Sequence, residues 1–370
     1  MIRQKWTCAW CCVFLCIISI NTLSASAVYG ASSKKPMSEP VVLSNKPSGI
    51  SAAAAVLMDV TTGDILFGKQ ADKRRPPAST TKIMTAILGL ELGQPTEVVT
   101  VSQKAAAVGE ATLHLDPGEK LTLYELITGA LVRSGNDACV AIAEHISGSE
   151  EQFVRLMNKK ALVLGAQNTN FVNTNGLPRQ EHYSTAKDLA IMARHGLQIA
   201  EFSSIIRQKE TEIHFLEPDV FMDLKNTNKL LWYYPYADGV KTGTTTAAGK
   251  CLVASATKDG RQLLAVVLNA PDRFGDARKL FEWGFEKTET VRLVDAGITE
   301  FPNAQKSVSV FIENPVDVSI LKDQRKNLQT RVVWEKAANM TVRAGERLGR
   351  LEVWLGEQKL YSVPLLKKPR

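Results

Sequence analysis

The feature that most constrains this chain is the segment PPASTTKIMT at residues 76–85, where two prolines lead directly into an apolar run. Prolines do not fit inside a helix, so the segment predicts a loop that enters a buried helix near Ser79. Ser79 and Lys82 are three residues apart and therefore lie one turn apart on one helix face. A lysine amine there can take the proton of the serine hydroxyl if burial or a nearby cation lowers its pKa. The segment thus predicts an activated serine that needs partners elsewhere.

The start of the chain has the pattern of an export signal. Two basic residues precede an apolar run at residues 9–20, and the small residues Ala25-Ser26-Ala27 follow. The run is shorter than the roughly 20 residues that span a bilayer, so an uncleaved anchor is the less favoured alternative. We therefore expect a signal peptide at residues 1–27, a flexible leader at residues 28–49, and an exported protein in the cell wall or at the outer face of the cytoplasmic membrane.

Four of the six cysteines fall inside the predicted signal. The mature chain then keeps Cys139 and Cys251. Two cysteines of an exported protein can form a disulfide, but we favour buried free thiols.

The size of the chain predicts two domains, because the 343 residues that remain without residues 1–27 exceed what one hydrophobic core usually serves. We place the boundaries at residues 50–288 and 289–370. The formal net charge is only +7, and two of these positive charges lie in the predicted signal. This surplus is far below that of the dense basic patches of nucleic-acid-binding proteins, so we expect no nucleic acid partner.

The first domain has signals for both strands and helices. The turn Lys258-Asp259-Gly260 separates two apolar runs and predicts a hairpin. Apolar residues at helical spacing follow Thr122 and Glu125, which predict a capping box. The expected fold class is α/β (α+β), an antiparallel sheet with a helical subdomain.

Two further motifs lie where a cleft can form. Ser134-Gly135-Asn136 interrupts two helical patterns, so a hydroxyl and an amide can be held in a loop between buried helices. Lys241-Thr242-Gly243-Thr244 leads into an apolar strand and offers a cation, hydroxyls and a glycine that permits close approach to the backbone. Taken singly, the first motif also fits an ordinary helix-helix turn, and the second an exposed strand edge.

Together and in this order, the three motifs resemble those of the low-molecular-mass penicillin-binding proteins, the D-alanyl-D-alanine carboxypeptidases. The resemblance runs from about residue 52 to 297 and takes in Asn175-Gly176-Leu177 and Trp283-Gly284-Phe285. It implies a penicillin-binding, β-lactamase-like fold for the first domain.

The resemblance also implies roles for individual residues. Ser79 would be the acylated nucleophile, Lys82 its general base, and Ser134 the proton relay to the leaving amine. The oxyanion hole would consist of the backbone N–H groups of Ser79 and Thr244. The implied substrate-binding residues are Asn136, Lys241, Thr242, Gly243, Thr244 and Arg273.

The implied substrate is a peptidoglycan pentapeptide that ends in D-Ala-D-Ala. β-Lactam antibiotics would be covalent inhibitors because they resemble that terminus. The chemistry requires no metal ion or organic cofactor.

The last segment, residues 289–370, alternates short apolar runs with turns and predicts a small all-β sandwich domain. It resembles the C-terminal domain of these carboxypeptidases. Family members commonly continue into an amphipathic helix that lies on the membrane. This chain stops at Lys367-Lys368-Pro369-Arg370, so no C-terminal membrane anchor is evident.

Three alternative functions use similar residues. A class A β-lactamase needs a glutamate for its deacylating water, and no Glu-x-x-Leu-Asn segment lies between Asn136 and Lys241. The intact motifs argue against the second alternative, a noncatalytic envelope-binding protein on the same scaffold. A serine hydrolase with a histidine base would need a Gly-x-Ser-x-Gly segment, which the sequence lacks, so we expect His182 to have a loop or packing role.

Overall fold

The computed structural model describes residues 46–303, 306–335 and 343–368. The predicted signal peptide and nearly all of the predicted leader lie outside these residues. Within the described part, no helix is long and apolar enough to cross a membrane.

Strands dominate the two ends of the described chain. Their bounds are β1 Ala54–Asp59, β2 Ile65–Lys69, β3 Val98–Thr100, β4 Lys120–Thr122, β5 Glu210–Glu217, β6 Val220–Lys225, β7 Ala237–Thr245, β8 Gly249–Lys258, β9 Arg261–Leu268, β10 Thr288–Val294, β11 Gly297–Asn303, β12 Lys306–Ile312, β13 Val316–Leu321, β14 Leu328–Trp334, β15 Arg347–Leu355 and β16 Gln358–Lys367.

Helices fill most of the interval between β2 and β7. Their bounds are α1 Lys82–Leu92, α2 Gln103–Ala106, α3 Leu123–Val132, α4 Asn136–Ser147, α5 Glu150–Leu164, α6 Ala186–Gly196, α7 Ala200–Ile206, α8 Leu230–Tyr233 and, after β9, α9 Arg273–Lys287. Short 3-10 helices lie at Ala78–Thr81 and Lys322–Asn327.

The main sheet has five antiparallel strands in the order β2-β1-β9-β8-β7. Alternate residues of a strand point to opposite faces, and both faces of this sheet are buried. Val56 and Met58 pack in the cluster that contains α1, α3 and α4, whereas Leu57 packs on the other side with Leu280 and Phe281 of α9. Because β7 forms the edge of the sheet, its residues are available to line a cleft beside the helices.

Local sequence signals fixed several boundaries of these elements. The capping box is present, since Thr122 accepts from the Glu125 N–H and the Glu125 side chain accepts from the Thr122 N–H. The turn at Asp259-Gly260 joins β8 to β9, and both of these residues have positive φ. The α+β class is confirmed, as is the antiparallel arrangement of the sheet.

The C-terminal region is all-β, as the alternating apolar pattern predicts. A five-stranded antiparallel sheet has the order β11-β12-β16-β15-β14, and β10 pairs separately with β13. Val310, Val318, Leu351, Val353 and Leu365 are buried in the core between them.

A polar cluster of two buried and two half-buried residues connects this region to the main sheet. We call it the joining cluster and define it as Asp59, Arg261, Thr290 and Ser319. Arg261 Nε lies 2.9 Å and Thr290 Oγ1 2.7 Å from Asp59 Oδ2, and Thr290 Oγ1 lies 3.2 Å from Ser319 Oγ. The two regions are therefore held together by hydrogen bonds as well as by apolar contact.

Candidate active site

The predicted nucleophile lies in a tight turn at the start of α1. Ser79 belongs to the 3-10 helix Ala78–Thr81, and α1 begins directly after it at Lys82. Lys82 Nζ lies 3.0 Å from Ser79 Oγ. The spacing of three residues thus produces the hydroxyl-amine contact that the sequence predicts.

The side chain of Lys82 is fully buried. Its Nζ also donates to Asn136 Oδ1 at 2.7 Å and to the Asn175 carbonyl oxygen at 2.8 Å. Burial is the main influence on this amine and lowers the pKa of Lys82 to about 8, against the nearby charges of Cys139 and Asp137, which raise it. The neutral amine is therefore accessible near neutral pH, which a general base requires.

The second motif occupies the connection between α3 and α4. Ser134 has a positive φ of 77°, and Asn136 is the first residue of α4. Asn136 Nδ2 donates to the Gly109 carbonyl oxygen at 2.9 Å. Next to it, Asp137 Oδ2 accepts the backbone N–H of Leu113 at 2.8 Å. These bonds fasten the loop before α3 to the start of α4 and fix the position of the Asn136 side chain.

The third motif lies on β7, at the edge of the main sheet. Lys241 is 1% exposed, so the alternative of a solvated lysine on an exposed strand edge is wrong. A Cβ on Gly243 would lie 2.9 Å from the Ser79 backbone nitrogen, so only glycine permits this approach of strand and nucleophile. Thr244 follows immediately and is exposed at the cleft. The strand therefore passes beside the nucleophile.

Lys241 has little in the protein to compensate its charge. Its Nζ donates to the Thr242 carbonyl oxygen at 3.2 Å, and no carboxylate of the described residues forms an ion pair with it. Burial first, and then the charge of Lys82, hold the pKa of Lys241 well below its usual range. A bound carboxylate would supply the missing opposite charge.

The remaining predicted binding residues belong to β7 or are hydrogen-bonded to it. Thr242 Oγ1 is 2.7 Å from Thr227 Oγ1. Arg273 Nη1 donates to the Gly243 carbonyl oxygen at 3.0 Å and to Thr244 Oγ1 at 2.9 Å. The structure thus connects Ser79, Lys82 and Asn136 by hydrogen bonds and brings β7 beside them, while Ser134 lies two residues before Asn136 in the α3–α4 connection.

Several residues at this cleft had no predicted role. Asn175 supplies a carbonyl acceptor to Lys82, and Thr227 supplies a hydroxyl to Thr242. Asp137 fastens the loop at Leu113. The sequence marks Asn175-Gly176 only through the family resemblance, and no local pattern marks Thr227 or Asp137 as site residues.

His182 and the two cysteines have the structural roles that we expect. Burial lowers the pKa of His182 to about 4, and its Nε2 lies 2.9 Å from Thr81 Oγ1. Cys139 and Cys251 are buried free thiols, so the disulfide alternative is wrong. Within the described residues, no group of three or more His, Cys, Asp or Glu side chains could hold a metal ion.

Comparison with known proteins agrees with this geometry. Residues 41–272 match the family model described as D-alanyl-D-alanine carboxypeptidase, and residues 287–369 match the C-terminal domain of penicillin-binding protein 5. D-alanyl-D-alanine carboxypeptidase DacF of Bacillus subtilis is 36% identical over 333 residues, which are 86% of this chain and 85% of the relative. DacC of Escherichia coli is 33% identical over 339 residues, 86% of this chain and 83% of that protein.

A solved structure extends the similarity to the fold. Penicillin-binding protein 5 of Haemophilus influenzae superposes with a TM-score of 0.77 at 31% identity, over 88% of this chain and 99% of that one. Two family models, curated relatives and a structural neighbour therefore agree on one assignment. The chain belongs to the D-alanyl-D-alanine carboxypeptidase family, the serine peptidases among the low-molecular-mass penicillin-binding proteins.

Proposed function

We propose that this protein removes the terminal D-alanine from peptidoglycan stem peptides through an acyl-enzyme on Ser79. The observation that carries the proposal is the contact between Lys82 Nζ and Ser79 Oγ at 3.0 Å, at an amine with a pKa of about 8. An unperturbed lysine, with a pKa near 10.4, would be almost wholly protonated at neutral pH.

In the acylation step, the neutral Lys82 amine takes the Ser79 proton while Oγ attacks the carbonyl carbon of the penultimate D-alanine. The carbonyl oxygen becomes an oxyanion. The backbone N–H groups of Ser79 and Thr244 are the donors for this charge, and one such donor contributes roughly 3 kcal/mol to the transition state. The close approach of Gly243 to the Ser79 nitrogen supports this pairing.

The leaving D-alanine carries the terminal carboxylate. Lys241 and the Thr242 hydroxyl bind this carboxylate. Arg273, which donates to Thr244 Oγ1 of β7, adds positive charge near it. Ser134 passes a proton to the departing nitrogen, which leaves as an amine. The carbon-nitrogen bond breaks as the carbonyl reforms, and the acyl group stays on Ser79.

Asn136 binds the substrate amide through the Nδ2 hydrogen that makes no hydrogen bond within the described part of the protein. Its Oδ1 accepts from Lys82, and one Nδ2 hydrogen is donated to the Gly109 carbonyl. An amide nitrogen has two hydrogens, so the second is available to a substrate carbonyl. Water then hydrolyses the ester and restores Ser79.

The relatives are bacterial enzymes, and we place this protein where peptidoglycan lies, outside the cytoplasmic membrane. The predicted signal at residues 1–27 supports export. We propose a role in cell-wall maturation and cell shape, with the stem pentapeptide as its partner.

The proposal is tested by incubating the purified protein with a defined pentapeptide that ends in D-Ala-D-Ala and identifying the products by mass. We expect one D-alanine to be released per peptide. Ser79→Ala should abolish release with thermal stability nearly unchanged, since the substitution removes few packing contacts. Turnover by Ser79→Ala would remove the assignment of the nucleophile.

Penicillin separates this function from that of a β-lactamase. The opened β-lactam keeps its leaving group tethered in the cleft, where it obstructs the approach of the deacylating water. We expect a penicilloyl adduct on Ser79 that persists for minutes or longer after free drug is removed, detected by intact mass. Rapid catalytic loss of penicillin without an adduct would reverse the choice between carboxypeptidase and β-lactamase.

A further inference from the structure

His182 is a buried side chain that the mechanism above does not use, and its two ring nitrogens have different partners. Nδ1 accepts the backbone N–H of Val172 at 3.0 Å, and Nε2 lies 2.9 Å from Thr81 Oγ1. Burial lowers the pKa of His182 to about 4, so the ring is neutral at physiological pH. A neutral ring that accepts at Nδ1 carries its proton on Nε2, and His182 is therefore the donor to Thr81.

The Thr81 hydroxyl connects this histidine to the backbone beside the nucleophile. Its oxygen accepts from His182, and its own proton is donated to the Ala78 carbonyl oxygen at 2.9 Å. We call this series of hydrogen bonds the support chain and define it as Val172, His182, Thr81 and the Ala78 carbonyl. Thr81 and His182 are both buried, and hydrogen bonds that follow one another in a buried chain strengthen each other.

The support chain ends on the peptide group that precedes Ser79. The Ala78 carbonyl and the Ser79 N–H belong to this one group, and the Ser79 N–H is a donor of the proposed oxyanion hole. Amide resonance couples the two ends of a peptide group. A hydrogen bond accepted by the carbonyl therefore makes the N–H of the same group a stronger donor.

The orientation of this peptide group also depends on its surroundings. Ala78 has a φ of 50°, a left-handed conformation that disfavours a residue with a Cβ and persists only where neighbouring contacts hold it. Gly176 packs against the carbonyl, since a Cβ there would lie 1.9 Å from the Ala78 oxygen. Thr81 holds the same oxygen by its hydrogen bond. Because the peptide group is planar, a fixed carbonyl direction also fixes the direction of the Ser79 N–H.

We propose that Thr81 and His182 are positioning residues that orient and strengthen the Ser79 N–H as an oxyanion-hole donor. The inference rests on the proposed function and adds a supporting contact to its site. Neither side chain touches the substrate, and both act through the Ala78 carbonyl. Their effect belongs to the transition state, where negative charge develops on the substrate oxygen, and not to substrate binding.

The first test is Thr81→Val, which removes the hydroxyl and keeps the shape of the side chain. We expect kcat for D-alanine release to fall about three- to tenfold with KM nearly unchanged, a fraction of the roughly 10²- to 10³-fold cost of losing a whole oxyanion-hole donor. Thr81→Ser keeps the hydroxyl and should restore kcat.

The matched control is Thr80→Val. Thr80 is a buried threonine of the same turn, and its hydroxyl donates to the Pro77 carbonyl oxygen at 2.7 Å, one peptide group earlier. The control should lower the thermal unfolding temperature about as much as Thr81→Val and leave kcat near the wild-type value. A loss of kcat in Thr80→Val equal to that in Thr81→Val would mean that the turn as a whole supports the donor, and would overturn the proposal.

A double-mutant cycle tests the part of His182. His182→Phe keeps a ring at this position and removes both hydrogen bonds, so kcat should fall less than in Thr81→Val, where the bond to the Ala78 carbonyl itself is lost. Because His182 acts only through Thr81, His182→Phe in the Thr81→Val background should have no further effect on kcat. Additive losses would show that His182 acts by another route and would overturn its place in the support chain.

The acyl-enzyme gives a direct measure of the donor. Infrared difference spectra of the adduct formed with penicillin ¹³C-labelled at the β-lactam carbonyl report the ester carbonyl stretch, which falls as hydrogen bonds to its oxygen strengthen. We expect Thr81→Val to move this band to higher wavenumber, and Thr81→Ser and Thr80→Val to leave it in place. An unmoved band in Thr81→Val would overturn the proposal although the adduct forms. If the wild-type protein gives neither adduct nor D-alanine, the proposed function is rejected, and the inference with it.

Discussion

Two of the polar clusters in the described part of the chain differ in how their charges are paired. In the joining cluster, the Asp59 carboxylate accepts from Arg261, Thr290 and the backbone N–H groups of Thr61 and Thr62. The catalytic cluster, which we define as Ser79, Lys82, Asn136 and Lys241, buries two lysines with no described carboxylate bonded to either amine.

This difference in charge pairing has different consequences for the two clusters: pairing affects the stability of the fold, and its absence affects the reactivity of the lysines. A buried ion pair with further hydrogen bonds keeps both groups charged and loses several kcal/mol if one partner is removed. Buried amines without a counter-ion are destabilised as cations, and this lowers their pKa. The joining cluster is therefore costly to break, and the catalytic cluster retains the electrostatic cost on which the proposed roles of Lys82 as base and Lys241 as carboxylate site depend.

The largest effect is expected from Lys82→Met. The variant should lose D-alanine release by about 10²- to 10⁴-fold, the usual contribution of a general base. It should also be more stable by about 1 to 3 kcal/mol, because an amine whose pKa falls from 10.5 to about 8 is costly to bury below that pH. Urea unfolding and a D-alanine assay measure both quantities.

The matched control is Lys159→Met, the same substitution at an exposed lysine of α5. It should change neither quantity measurably. If Lys82→Met is instead several kcal/mol less stable than wild type, the hydrogen bonds of Lys82 outweigh its burial cost, and the contrast between the clusters fails.

The opposite result is expected at the joining cluster. Asp59→Ala leaves the Arg261 guanidinium largely buried without its counter-ion and should lower the free energy of unfolding by about 3 to 5 kcal/mol. The kcat of the folded fraction should stay near the wild-type value. Glu210→Ala removes an exposed partner of Lys225 and should cost less than about 0.5 kcal/mol. A loss below 1 kcal/mol for Asp59→Ala would contradict the comparison.

The sequence predicted the parts of both regions that depend on neighbours in the chain. Ser79 and Lys82 are three residues apart, as are Thr122 and Glu125 in the capping box. Such pairs are visible because helical geometry alone brings them together. The family resemblance predicts that the three motifs share one cleft, and the structure places them there.

Long-range contacts were not predictable in this way. Lys82 reaches Asn175 across 93 residues through a backbone carbonyl, a group that every residue has. Asp59 and Thr290 meet across 231 residues, and neither belongs to a motif. These partners are brought together only by tertiary packing. The joining cluster and the carbonyl acceptor of Lys82 therefore could not be predicted from the sequence.

The pH dependence of acylation tests whether the lowered pKa of a lysine in the catalytic cluster controls the reaction. The proposed base is the deprotonated amine of Lys82, whose pKa burial lowers to about 8. Below that pH the neutral fraction, and with it kcat/KM, should rise about tenfold per pH unit and then level off near pH 8 to 9. Stopped-flow measurement of acylation by a chromogenic β-lactam from pH 6 to 9 gives this pH dependence. A flat profile across this range would require another base.

The smallest effect is expected from Thr227→Val, which tests whether the catalytic cluster depends on positioning residues outside its motifs. Thr227 Oγ1 lies 2.7 Å from Thr242 Oγ1 and orients the hydroxyl that we propose binds the substrate carboxylate. Valine keeps the shape and removes this bond, so KM should rise about threefold, as for one neutral hydrogen bond, with kcat nearly unchanged. Thr227→Ser should restore KM, and Thr330→Val, at an exposed threonine of β14, should leave both constants alone. A fall in kcat with constant KM would mean that Thr227 acts in the transition state rather than through the binding of the carboxylate.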